Sequence, residues 1–270
     1  MYIFLLIIVF VLGAVVGSFL NVCIYRLPRE ESLVLPRSHC PSCNKTISWY
    51  DNIPFVSYLF LWGKCRYCKQ KISFRYFIVE FINAFLYVVI FHYFFSYNLC
   101  FLLSYFTFAS MLIVVTFIDF EYFIIPDEIS IGGSIYGLIL SFIFPQLMNT
   151  HSLWIGLYRS FFGGLVCGGA LLLVALLASY ILKKEAMGMG DVKLLTMIGI
   201  FLGWKLGLFT IFVASLLGSF VGVMLILFKG LKWQSKIPFG PYLSVGALIT
   251  LLFGEKMITF YFSVLLNISQ

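Results

Sequence analysis

Four carboxylates crowd the stretch FIDFEYFIIPDE at 117–128: Asp119, Glu121, Asp127 and Glu128. A fifth, Asp191, stands behind Gly188 and Gly190 and ahead of Lys193 in AMGMGDVK at 186–193. Asp119 ends the apolar run LIVVTFI and Asp191 opens another, so both lie where hydrocarbon gives way to water. Ionisable groups at such depth are costly, which favours a functional reading. The chemistry open to the pair is hydrolysis of an amide by water. One carboxylate takes a proton from water while the other, protonated, donates to the carbonyl oxygen. Carboxylates held close titrate as a unit. Gly188 and Gly190 allow close backbone approach, so an extended substrate could run past Asp191. Lys193 is placed to orient a carboxylate or meet lipid phosphate, and Asp127 is the acid of a Pro-Asp turn. Spacing alone leaves a plainer reading open, in which acids at helix ends solvate a loop or complement a helix dipole. Intramembrane acids also serve transporters.

A second constellation is made of sulfur. Cys40-Pro-Ser-Cys43 and Cys65-Arg-Tyr-Cys68 are separated by 21 residues. Two C-x-x-C pairs at this spacing suit tetrahedral zinc held by four thiolates. All four positions are then filled, which makes the metal structural. Disulfides are the competing reading. The basic surroundings place the segment in the cytoplasm, where thiols stay reduced. Metal binding would supply much of the folding energy of a segment too small for its own core. His39 is an alternative ligand but a disfavoured one. Cys23, Cys100 and Cys167 lie in apolar runs and read as packing residues.

These groups must be positioned by membrane helices. Of 270 residues, 62% are hydrophobic and only 11% charged, with a mean hydropathy of +1.03. A soluble domain carries about 25% charged residues. Repeated apolar runs near 20 residues predict an all-α polytopic membrane protein rather than a barrel, whose strands would alternate. Eight spans are expected: the first at 2–25, then 77–97, 99–118, 129–147, 156–182, 191–204, 207–228 and 241–265. A small cytoplasmic zinc-ribbon-like insert occupies 26–76. The domain division is 1–25, 26–76 and 77–270.

Nine of the 18 Lys and Arg fall between Arg26 and Arg75, three in Lys183, Lys184 and Lys193, and three in Lys229, Lys232 and Lys236. Placing those regions in the cytoplasm satisfies the positive-inside pattern and puts both termini outside. It also accounts for the net charge of +7 without nucleic acid as a partner. The partner is the lipid bilayer. No basic residue precedes the first apolar run, so that run reads as an uncleaved helix, not a secretory signal.

Taken together these residues resemble the type IV prepilin peptidase family, bifunctional leader peptidases and N-methyltransferases of pilus and type II secretion systems. The resemblance runs through GSFLNVCIYRLP at 17–28, SHCPSCNKTISWYDNIPFVSYLFLWGKCRYCKQKISFRYFIVE at 38–80, IDFEYFIIPD at 118–127 and GMGDVK at 188–193. It implies a GxGD membrane aspartic protease of the bacterial inner membrane, with Asp119 and Asp191 catalytic at the cytoplasmic face and Asp127 supporting them. The implied substrate is a prepilin or pseudopilin, cut after a glycine just before its hydrophobic helix, without a metal. It further implies methylation of the new N-terminus with S-adenosylmethionine, attributed to the first cytoplasmic region, with Asp51, Asn52 and Glu80 as polar contributors. Two departures stand out. Phe77 occupies a position where the family usually has proline, and the segment around PQLMNTHSLWIG at 145–156 is longer than usual.

Overall fold

The computed structural model describes residues 1–95, 99–183, 187–229 and 238–268. Lys184, Glu185, Lys232 and Lys236 lie outside the described residues. The chain divides into two compact units, Met1–Ile118 and Asp119–Gln270.

The first unit holds α1 (Tyr2–Arg26), the short α2 (Val56–Phe60), α3 (Arg75–Phe94) and the first part of α4 (Leu99–Tyr122). α1 and α3 pack antiparallel through small residues. A Cβ added at Gly13 would stand 2.7 Å from the Cα of Ala84, and one at Gly17 would stand 2.7 Å from the Cα of Glu80. Close backbone approach of this kind replaces hydrophobic driving force between helices in lipid. Polar side chains secure it. Asn83 Nδ2 donates to the Gly13 carbonyl at 2.7 Å, Ser110 Oγ donates to Asn83 Oδ1 at 3.1 Å, and Tyr87 pairs with Ser110 at 3.0 Å. α3 begins at Arg75 despite the absence of the family's proline. Phe77 instead joins a ring ladder, stacked between Phe74 at 5.5 Å and Phe81 at 6.5 Å.

The second unit continues α4 and adds α5 (Asp127–Ile143), α6 (Leu153–Leu182), α7 (Met189–Lys229) and α8 (Gly240–Ile268). α6 turns a stripe of small residues, including Gly156, Ser160, Gly163, Gly164 and Gly168, toward its neighbours. A Cβ at Gly163 would stand 2.3 Å from the Gly199 carbonyl. α7 is broken at Gly203, whose φ of 76° and ψ of 167° suit glycine alone. The break is sharp enough that a Cβ on Gly207 would stand 3.2 Å from the Gly199 Cα. Eight residues of straight helix would separate those positions by about 12 Å. The expected helices at 191–204 and 207–228 are thus the two arms of one folded element.

Among the described residues, six helices, with α7 taken whole, are long and apolar enough to cross a membrane. The expected count of eight is not matched on that measure. α5 has 17 residues, where a span needs about 20. The stretch 145–156 forms a 3₁₀ turn and the start of α6, closed by Arg159, which donates to the carbonyls of Met148 and Asn149.

Candidate active site

Asp119 is buried one turn from the end of α4. α4 stops because Phe123 adopts a left-handed conformation, φ 56°, while its N–H bonds back to the Asp119 carbonyl. Ile124 and Ile125 then lead to Pro126, whose fixed φ starts α5 with Asp127 and Glu128 in the first turn. Asp191 lies in the first turn of α7. The two carboxylates, 72 residues apart in sequence, are carried by segments that meet at Ile125. Among the described residues no donor is within hydrogen-bonding reach of the Asp191 carboxylate, which leaves its oxygens open to water or substrate.

Asp119 has a fixed donor. The Gly240 N–H, at the start of α8, donates to Asp119 Oδ2 at 3.0 Å. The first N–H groups of a helix have no partner within it, so an acceptor here satisfies both sides. Gly240 is also obligatory in space. A Cβ there would stand 2.6 Å from Asp119 Oδ2 and 3.2 Å from Ile125 Cδ1. Ile125 packs equally against Gly190, whose added Cβ would lie 3.1 Å from the Ile125 Cβ. Ile125 is therefore the apolar wedge between the segments that carry the two aspartates.

Gly240 and Ile125 were not singled out in the sequence. The available signal was Gly240-Pro241 at the head of an apolar run, which marks a helix start. Neither Gly188 nor Gly190 has the positive φ that would demand glycine. Gly190 is there for contact with Ile125, and a Cβ at Gly188 would meet nothing closer than Asp191 Oδ2 at 3.8 Å. Lys193 Nζ bonds Asp127 Oδ1 at 2.7 Å, tying the first turn of α7 to that of α5. Both partners are partly exposed, so the tie is weak.

The cysteine cluster belongs to the first unit. The four sulfurs of Cys40, Cys43, Cys65 and Cys68 all lie within 4.8 Å of one another, with Cys40 and Cys68 at 3.9 Å. A tetrahedral zinc with Zn–S bonds of about 2.3 Å sets its sulfurs about 3.8 Å apart, so the set fits. The two knuckles are built alike. In each, the N–H of the residue after the second cysteine (Asn44, Lys69) bonds to the carbonyl of the first. A left-handed Asn44, φ 55°, and Lys69, φ 59°, let each loop close. Backbone N–H groups of Cys68 and Tyr67 draw the Cys65 thiol down to about 6, toward the thiolate a metal needs. His39 stands outside the cluster, its Nδ1 paired with the Arg37 carbonyl.

Of the polar candidates Asp51, Asn52 and Glu80, the first and last have structural partners. Arg66 holds Asp51 in a two-bond ion pair, and Glu80 Oε2 accepts the Phe55 N–H at 2.9 Å.

Comparison with known proteins agrees with this arrangement. The profile described as bacterial peptidase A24 N-terminal domain matches residues 11–94. That of the type IV leader peptidase family matches 106–223. The prepilin leader peptidase/N-methyltransferase of Aeromonas hydrophila is 33% identical across 94% of this chain and 92% of that protein. Those of Pseudomonas putida and Pseudomonas aeruginosa are 35% and 34% identical, across 92% and 93% of this chain and 90% and 91% of theirs. No solved structure matches. With relatives aligned through both units at this level of identity, the chain belongs to the type IV leader peptidase family.

Proposed function

We propose that this chain is a membrane aspartic endopeptidase that cleaves the leader peptide of type IV prepilins or pseudopilins, and that it N-methylates the new N-terminus with S-adenosylmethionine. The observation that carries the peptidase reading is the convergence on Ile125 of the segments that bear Asp119 and Asp191, with the Gly240 N–H fixing one of the two carboxylates.

Cleavage starts with one carboxylate ionised and the other protonated. The ionised one removes a proton from water as its oxygen adds to the scissile carbonyl carbon. The protonated one donates to the carbonyl oxygen. Collapse of the tetrahedral intermediate breaks the C–N bond, and the amine leaves with a proton returned from the pair. No covalent enzyme intermediate forms. Gly240 prevents Asp119 from rotating away between steps.

The basic residues at 26–75 support a cytoplasmic insert, outside termini and an active site at the cytoplasmic face of the bacterial inner membrane. Supporting roles fall to Gly190, as the packing partner of Ile125, and to the Asp127–Lys193 tie. Gly188 leaves the approach to Asp191 open. The four cysteines would hold a structural zinc that fixes the insert, and no step of cleavage runs through it.

The test uses purified protein in liposomes with a prepilin peptide, both products read by mass spectrometry. Asp119→Asn and Asp191→Asn are each expected to lower cleavage by about 10³-fold or more. Both should still methylate a precut pilin. Cleavage at the wild-type rate in either variant would remove that aspartate from the mechanism.

A further inference from the structure

Residues 53–62 read IPFVSYLFLW, an uncharged apolar run inside an insert otherwise rich in Lys and Arg. They form α2 and the turn that follows it. A run this apolar in a small domain should turn inward against the cysteine knuckles. It does the reverse. Leu59, Phe60 and Trp62 are 63%, 80% and 88% exposed. Adjoining apolar groups left exposed in this way mark a surface that meets something apolar.

The depth of the segment says what it meets. α3 has 20 residues, the number a span needs, so its first residue, Arg75, marks the edge of the hydrocarbon. Glu80 lies about 7 Å inside that edge. Its Oε2 accepts the Phe55 N–H at 2.9 Å. The Phe55 ring reaches deeper still, to Phe10 of α1 at 5.7 Å, well inside the helix that ends at Arg26. The segment therefore enters below the level at which α1 and α3 leave the membrane.

Its exposed face also prolongs a surface that already faces lipid. Tyr58 packs on Phe74 and Phe77 of the ring ladder at 6.1 and 5.8 Å. The ladder continues down α3 through Phe81 to Phe85, both exposed. Backbone placed in lipid must find its own hydrogen-bond partners. Here the N–H groups of Ser57, Leu59, Leu61 and Gly63 reach the carbonyls of Ile53, Phe55, Ser57 and Tyr58. The Phe55 N–H lies ahead of the helix, and Glu80 supplies its acceptor. The collar above the apolar face is basic. Lys64 follows Gly63 and pairs across a β-bridge with Lys71. Both lysines are exposed and, among the described residues, without an ion pair. Lipid phosphates complement such a collar, whereas a basic peptide would be repelled by it.

We propose that residues 53–62 are immersed in the leaflet on the insert's side of the bilayer, with Leu59, Phe60 and Trp62 among the upper acyl carbons and Lys64 and Lys71 at the phosphates. Indole suits this level because its ring is apolar and its N–H polar. Cys65 follows Trp62 closely in the chain, so the anchor holds the sulfur cluster at headgroup height.

The experiment uses the full-length protein in nanodiscs of phosphatidylcholine and phosphatidylglycerol. Trp62→Phe keeps the apolar face and removes one fluorophore, so its difference from wild type is the emission of Trp62 alone. Lipids brominated high on the acyl chain should quench that emission at least about twofold more than lipids brominated near the bilayer centre, and aqueous acrylamide should quench it little. Quenching by acrylamide and by neither lipid would put Trp62 in water and overturn the proposal. Stronger quenching from the bilayer centre would overturn the interfacial depth. A second measurement places p-benzoylphenylalanine at position 60, where illumination should give lipid adducts. Crosslinks to a second copy of the chain, or to an added prepilin peptide, in place of lipid would overturn the proposal in favour of a protein partner.

Discussion

The cysteine insert and the aspartate site are built by opposite means. Each cysteine knuckle closes within six residues, through its own backbone hydrogen bonds and one left-handed residue. Two such loops need only to be brought edge to edge for four sulfurs to converge. The aspartates have no local device. Asp119 ends one helix, Asp191 starts another, and the donor that fixes Asp119 comes from a third, 121 residues away in sequence. A local site of this kind is robust to changes in the bundle and would fail on loss of a metal held by its four sulfurs. A convergent site survives metal loss and fails when helices shift.

The largest effect that tests this contrast falls on the insert. Cys43→Ser, or chelation, is expected to remove most of a metal contribution of about 10 kcal/mol to folding of 26–76. Hydrogen exchange should show the knuckle amides losing protection while those of α6 and α7 keep theirs. Loss of protection throughout α6 and α7 would mean that the two regions are not independent.

Gly240→Ala is the reciprocal experiment. The new Cβ cannot share space with Asp119 Oδ2, so the carboxylate must turn away. Cleavage should drop by about 10²-fold, as expected for loss of one fixed donor geometry at a reacting centre, with little change in melting temperature. Zinc content should be unchanged. Wild-type cleavage would show that Asp119 needs no fixed orientation.

The smallest effect belongs to the tie between α5 and α7. Lys193→Gln removes an ion pair whose side chains are 38% and 56% exposed, so stability should change by no more than about 1 kcal/mol. A thermal melt in detergent reads this directly. A larger loss would mean that the tie, and not Ile125, holds the two acid-bearing turns together.

Much of the fold could be read in advance because lipid imposes length and hydropathy on every span. Six predicted helices have counterparts within a few residues, and 191–204 with 207–228 became the arms of α7. The break at Gly203 was legible only as a gap between two apolar runs. Its sharpness came from Gly199 and Gly207 packing against each other, which no local pattern announces.

Sequence alone determined the chemistry on offer. It showed four thiols at zinc spacing, and two acids at the ends of apolar runs, because ligand geometry and the cost of charge in hydrocarbon constrain residue type and spacing. Tertiary structure alone decided which carboxylate is gripped and by what. The Gly240 N–H, the Ile125 wedge and the folded α7 depend on contacts between segments far apart in the chain. Such contacts follow from packing, where a single methyl group at Gly163 or Gly240 would already collide.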